Sequence, residues 1–224
     1  MSPADQQFVV AIDGPAASGK SSTARLVAER LGIHHADSGA LYRAATLART
    51  GRSGMPETWN AGSVLYEAAN VTLVRRHTSF EIVLRGKVVD QELHEPAITA
   101  LVSLVAKMEP VREWVNELMR ACAADGPIVV DGRDMGTAVF PDAQLKIFLI
   151  AKAEERARRR LLQRLDRMPM EAEIAAEAQA LRLRDAKDAE QTQQADDAIV
   201  IDTTHLTQDE QVERIVELAR EAGA

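Results

Sequence analysis

The sequence predicts an α/β protein, a doubly wound parallel sheet of about five strands with helices on both faces, plus a small antiparallel β/α insert and a helical lid. Three observations lead there. Short apolar runs alternate with helical stretches, and two segments break the alternation. The composition is 46% hydrophobic but only 4% aromatic, which suits Ala- and Leu-rich helices packed on Val/Ile strands. A length of 224 residues fits one compact domain with modest insertions.

The strands are expected at residues 8–12, 128–130, 145–150 and 198–201, with a weaker run at 33–36, all read as buried parallel strands. Four of the five end on an acid: Asp13, Asp37, Asp131 and Asp202. The other runs from Ile150 through Ala151 into Lys152. In such sheets ligands gather at the carboxyl ends of the strands.

The first interruption holds Val71-Thr72-Leu73-Val74, Phe80-Glu81-Ile82-Val83-Leu84 and Val88-Val89, separated by His77-Thr78-Ser79 and Arg85-Gly86-Lys87. That pattern predicts an antiparallel meander, followed by a helix from Pro96 with Ile98, Leu101, Val102 and Val105 on one face. Residues 64–108 are read as an insert on a core made of 1–63 and 109–224. The second interruption, Asp166-Arg167-Met168-Pro169-Met170, separates two charged helices and reads as the tip of a mobile arm over about 158–188. Thr207-Gln208-Asp209-Glu210 is a capping box for the last helix.

A formal charge of -7 and a pI near 5.3 argue against a sequence-independent grip on DNA or RNA, which Lys and Arg must carry. A small phosphorylated substrate needs only a local basic pocket. Residues 1–7 lack a basic start and an apolar core, and no apolar run approaches the ~20 residues of a membrane span, so a cytoplasmic protein with neither membrane nor nucleic-acid polymer as partner is expected. A monomer is the default expectation, which no sequence feature decides. The lone Cys122 excludes an internal disulfide and a thiolate zinc cluster, and its apolar neighbours Leu118, Met119, Ala121 and Ala123 point to a buried thiol.

Gly14-Pro15-Ala16-Ala17-Ser18-Gly19-Lys20-Ser21 matches G-x-x-x-x-G-K-[ST], with an apolar strand before it and a helical stretch, residues 23–31, after it. Glycines let backbone amides turn around phosphates, the helix adds its positive end, and Lys20 supplies a cation for the β and γ oxygens of ATP. Ser21 is a candidate ligand for Mg²⁺.

Asp37-Ser38-Gly39-Ala40-Leu41-Tyr42-Arg43 follows the second strand. Its acid and serine read locally as a helix cap, while Ser38 and Arg43 also fall at the strand end that faces the Gly-rich loop. Asp131-Gly132-Arg133-Asp134-Met135-Gly136-Thr137 places an arginine between two acids at the same edge, as a gripping residue held by carboxylates. Between Lys152 and Arg167 seven basic residues stand against three acidic ones, a local +4. Glu155 and Arg159 form an i,i+4 pair, which is the solvated-face reading. Arg158, Arg159 and Arg160 span most of a turn, so at least one faces the core side, where an anion must offset it.

These motifs, with Ile12-Asp13-Gly14-Pro15, Val111-Arg112, Val139-Phe140-Pro141-Asp142-Ala143, Lys146-Ile147-Phe148-Leu149 and Glu154-Glu155-Arg156-Ala157, closely resemble the bacterial cytidylate kinases, nearly end to end. The resemblance implies ATP at residues 14–22, thus including Ser22, with CMP or dCMP opposite. It also implies that the insert is a nucleoside-monophosphate-binding domain and the 158–188 arm a lid. Carried over by position, Ser103, Arg112 and Asp134 read cytosine, with Tyr42 also on the substrate side. Ser38, Arg43 and Arg133 hold the CMP phosphate, Arg184 and Asp188 hold the ribose, and Arg159 and Arg160 reach the transferring phosphoryl group.

The sequence departs from the family after Arg184-Asp185-Ala186-Lys187-Asp188: Gln191 stands where an arginine is usual, and an Ala-Pro-Leu segment is missing. Either CMP binds more weakly than is usual, or Lys187 or a lid arginine compensates. The expected reaction is ATP + CMP to ADP + CDP. The rivals are a kinase for UMP, AMP or a non-nucleotide acceptor, and a non-catalytic ATP-binding regulator.

Overall fold

A computed structural model of the chain describes residues 8–224, so the reading of residues 1–7 lies outside the described residues. Five parallel strands form the central sheet: β1 (Val9–Asp13), β2 (His34–Asp37), β6 (Ile128–Asp131), β7 (Leu145–Ile150) and β8 (Ile199–Asp202), in the order β2-β6-β1-β7-β8. The stretch of chain that joins β2 to β6 carries a separate antiparallel sheet of β3 (Val71–Arg75), β4 (Phe80–Leu84) and β5 (Lys87–Val88).

Side chains alternate across β1 because successive residues of a strand point to opposite faces. Val9 and Ala11 join one core with Ala44 of α2 (Ser38–Arg49), Val102 of α4 (Pro96–Val105) and Met119 of α5 (Glu109–Ala123). This core also takes in Val64 of α3 (Ala61–Ala68) and Ile82, fastening the insert to the sheet. Val10 and Ile12 join the other core with Val27 of α1 (Lys20–Leu31) and Ile215 of α8 (Gln208–Glu221). A third cluster joins Ala157 and Leu161 of α6 (Ala153–Arg164) to Ile174, Ala178 and Leu181 of α7 (Glu171–Asp188), with Ala16 of the Gly-rich loop against it.

The strand positions follow the apolar runs, but the expectation of full burial fails at the sheet edges. In β8 only Ile201 is buried, and Ile199 and Val200 are exposed, because an edge strand has a neighbour on one side only. The other edge, β2, is covered by the insert: the His35 amide donates to Thr78 O at 3.0 Å. The expected helix from Pro96 is α4, with Ile98, Val102 and Val105 buried. The capping box is present, Thr207 and Glu210 each satisfying the other's backbone amide. Cys122 is buried, and burial pushes its thiol up to about 11. A five-residue π-helical turn, Met135–Val139, had no signal in the apolar pattern.

Candidate active site

At its start the Gly-rich loop is wedged against the sheet. A Cβ on Gly14, whose φ is +144°, would lie 2.2 Å from the carbonyl oxygen of Leu149 in β7. Gly19, at φ +91°, forms the N-terminal cap of α1. Lys20 sits in the first turn of that helix, 6% exposed, and donates to Pro15 O at 2.7 Å. Burial, with Arg133 nearby, holds its ammonium well below the usual lysine range, although Asp131 and Asp13 oppose the shift. Such a cation gains from an incoming polyanion.

The acids at the strand ends have separate tasks. Asp13 accepts from the Met135 and Gly136 amides at 2.9 and 2.7 Å and so anchors the π-helical turn. Burial outweighs those two bonds and pushes its carboxyl up to about 6. Asp37 and Asp131 are paired in register across β2 and β6. Burial and the neighbouring Asp131 raise the Asp37 carboxyl, which caps α2 through the Ala40 amide at 3.2 Å. Burial also works against ionised Asp131, but hydrogen bonds from His35 and Ser21 bring its carboxyl below the ordinary value. Ser21 Oγ donates to Asp131 Oδ2 at 2.6 Å, and Ser38 Oγ donates to the Asp131 carbonyl at 3.0 Å.

Beyond this edge opens a cavity of about 920 Å³. Residues 16–22 line it. So do Ser38, Tyr42, Arg43, Ser103, Arg112, Arg133 and Asp134, together with Arg159, Arg160, Arg184 and Asp188. Gly14 and Pro15, also expected at the ATP phosphates, do not reach the wall, Gly14 packing on Leu149 and Pro15 giving its carbonyl to Lys20.

Within the cavity Arg112 and Asp134 form an ion pair. Burial raises the Asp134 carboxyl, and Arg112 opposes this. Burial lowers Arg133 and Arg184; Arg43 further depresses both, while Asp188 opposes. Arg133 and Arg184 each leave a buried Nε without a hydrogen bond, Arg184 lying 3.6 Å from Asp188. Three crowded guanidiniums, two of them with a buried donor unmet, form a site that is short of negative charge.

The arginines of α6 are held by neighbouring acids. Arg159 contacts Glu155 at 3.0 Å and Thr203 Oγ1 at 3.2 Å, and Arg160 contacts Glu177 at 3.1 Å. Arg158 pairs with Glu155 and Glu171 and does not line the cavity. Of the three consecutive arginines, two therefore face the site. Gln191 lines the cavity beside them.

Sequence reasoning did not single out Arg156, although it lay inside the basic run. Only 6% exposed, it donates to Ala16 O at 2.7 Å, Ala151 O at 3.1 Å and Asp185 Oδ2 at 2.6 Å, tying the loop to α6 and α7. His35 and the glutamines of α8 were also missed. Gln208 donates to Thr23 Oγ1 at 2.7 Å, and Gln211 accepts from the same hydroxyl at 3.2 Å.

No cluster of three His, Cys, Asp or Glu side chains suited to a metal occurs among the described residues. The hard oxygens of Ser21 and Asp131 still fit Mg²⁺, which keeps several waters and takes most other ligands from phosphates.

One buried lysine in a Gly-rich cradle, sharing one cavity with converging guanidiniums, defines a class: this is a P-loop phosphotransferase. Residues 10–221 match the model of the cytidylate kinase family, and the chain belongs to that family. It is 39% identical over 214 residues to a cytidylate kinase of Geobacter sp. (strain M21), covering 94% of this chain and 90% of that one. It is 40% identical over 210 residues to one from Limosilactobacillus fermentum, covering 92% of each. With one from Symbiobacterium thermophilum it shares 39% identity over 226 residues, 98% of this chain and 99% of the other. No helix among the described residues is long and apolar enough to cross a membrane.

Proposed function

We propose that the chain transfers the γ-phosphoryl group of ATP to the phosphate of CMP or dCMP, giving ADP and CDP or dCDP. The observation that carries this reading is the crowding of Arg43, Arg133 and Arg184, two of them with a buried donor unmet, in the same cavity as Lys20. Cations drawn to one cavity from the Gly-rich loop and from three other segments suit two phosphate-bearing molecules.

The attacking atom is an oxygen of the CMP phosphate, ionised at neutral pH, so no general base is needed and catalysis reduces to alignment and charge stabilisation. Residues 16–22 hold the ATP phosphates through backbone amides and Lys20. Arg43, Arg133 and Ser38 hold the acceptor phosphate. Asp134 accepts from the cytosine amino group, and Arg112 and Ser103 bond the rest of its polar edge, with Tyr42 beside them. Arg184 and Asp188 face the ribose. Arg159 and Arg160 exchange Glu155 and Glu177 for the transferring group, where each cation about 4 Å away is worth about 4 kcal/mol at an effective dielectric near 20. Mg²⁺, held by Ser21 and Asp131 through oxygen and water, would neutralise β and γ charge. Closure of the 64–108 insert and the 158–188 lid excludes water as a competing acceptor.

The test is ADP release from ATP with CMP, dCMP, UMP or AMP, and with no acceptor. Cytidine nucleotides should dominate. Equal rates with AMP would refute the base-reading set, and nucleotide binding without acceptor-dependent ADP release would refute catalysis.

A further inference from the structure

His35 lies outside every motif that carries the family resemblance, yet it is buried against the phosphate site. Its side chain is 10% exposed, and that of its partner Asp131 is 2% exposed. Its Nε2 donates to Asp131 Oδ1 at 2.7 Å, while the other carboxylate oxygen takes the Ser21 hydroxyl at 2.6 Å. We infer that His35 is a positioning residue: it fixes the Asp131 carboxylate so that the Ser21 oxygen is turned toward the phosphates and their divalent cation.

The terminal torsion of an aspartate is broad and nearly two-fold, so a carboxylate held at one oxygen only still swings. His35 and Ser21 are the side chains that bond this carboxylate among the described residues. With His35 in place, Oδ2 is aimed at Ser21, the serine hydroxyl spends its one donor in the hydrogen bond to Asp131, and its lone pairs are left for a cation. The backbone that carries the imidazole is held on both sides, since the His35 amide donates to Thr78 O while its strand pairs with β6, His35 opposite Val129. A histidine that orients a ligating group through a carboxylate acts as an outer-shell support, whose removal typically costs ~10–100-fold in metal affinity or activity.

This inference rests on the proposed phosphoryl transfer, and its test separates the two. ATP affinity is measured by calorimetry without acceptor, in Mg²⁺ and in excess chelator, for the wild type and for His35→Leu, His35→Asn and His35→Gln. A glutamine amide nitrogen reaches about as far as Nε2; an asparagine amide stops short of it. Expected are a Mg²⁺-dependent gain in affinity that falls about tenfold in His35→Leu and His35→Asn, its retention in His35→Gln, and unchanged metal-free affinity throughout. Asn and Gln variants with the same gain, or a loss equal with and without metal, would overturn the inference. Wild-type activity on CMP is measured in parallel, so a failure of phosphoryl transfer itself shows separately.

Discussion

Replacing Arg156 by methionine keeps the apolar stem and removes the guanidinium. It strands the carbonyls of Ala16 and Ala151 and leaves Asp185, whose side chain is 25% exposed, without its cation. Breaking a buried ion pair from one side costs about 3–5 kcal/mol. For a chain of this size each kcal/mol moves Tm by about 2–4 °C, so a fall of roughly 6–20 °C is expected. Circular-dichroism melting measures it. Removing Asp185 as well, in Arg156→Met/Asp185→Leu, should recover at least ~1 kcal/mol of that loss, since contacting residues couple by about 0.5–3 kcal/mol. Because Arg156 also holds the loop carbonyl of Ala16, KM for ATP should rise in the single variant. A Tm change under about 2 °C, or strictly additive single effects, would show that this bridge does not hold loop and lid helices together.

Three further outcomes follow from the site. The Asp13 carboxyl is raised from 3.8 to about 6, so its protonated form favours the folded state; that stabilisation is complete below about 4 and lost as pH rises through about 6. Asp13→Asn should therefore remove on the order of 3 kcal/mol of pH dependence across that window, read from urea midpoints, and an unchanged pH profile would contradict the assignment. Lys20→Ala should fold, by circular dichroism, yet lose CMP-dependent ADP release by at least about a hundredfold, and near-normal turnover would refute its role. Gln191→Arg should lower KM for CMP about tenfold, about 1.4 kcal/mol, by supplying a cation at the cavity wall; an unchanged KM means that Gln191 does not weaken CMP binding.

Elements defined by local pattern were legible in advance. The strand–loop–helix unit around Lys20 has its own period and glycines, and the last helix carries its own cap. Edge exposure at Ile199 and Val200 was not legible, since strand order is a long-range property that an apolar run does not encode. The same limit applies to the supports of the site. Arg156 meets Ala16 across 140 positions and His35 meets Asp131 across 96, so neither partner could be found by spacing. Arg158, Arg159 and Arg160 show the converse: helical geometry foretold that they diverge, but only the packing of α6 on α7 decides which two face the cavity.

The close approach of Gly14 to Leu149 ties the anion cradle to its scaffold. One added carbon at residue 14 would have to push a central strand's carbonyl aside by more than an ångström, and the cost would spread through the whole layer of β1 and β7. The Gly-rich loop and the sheet beneath it therefore share a single mechanical tolerance.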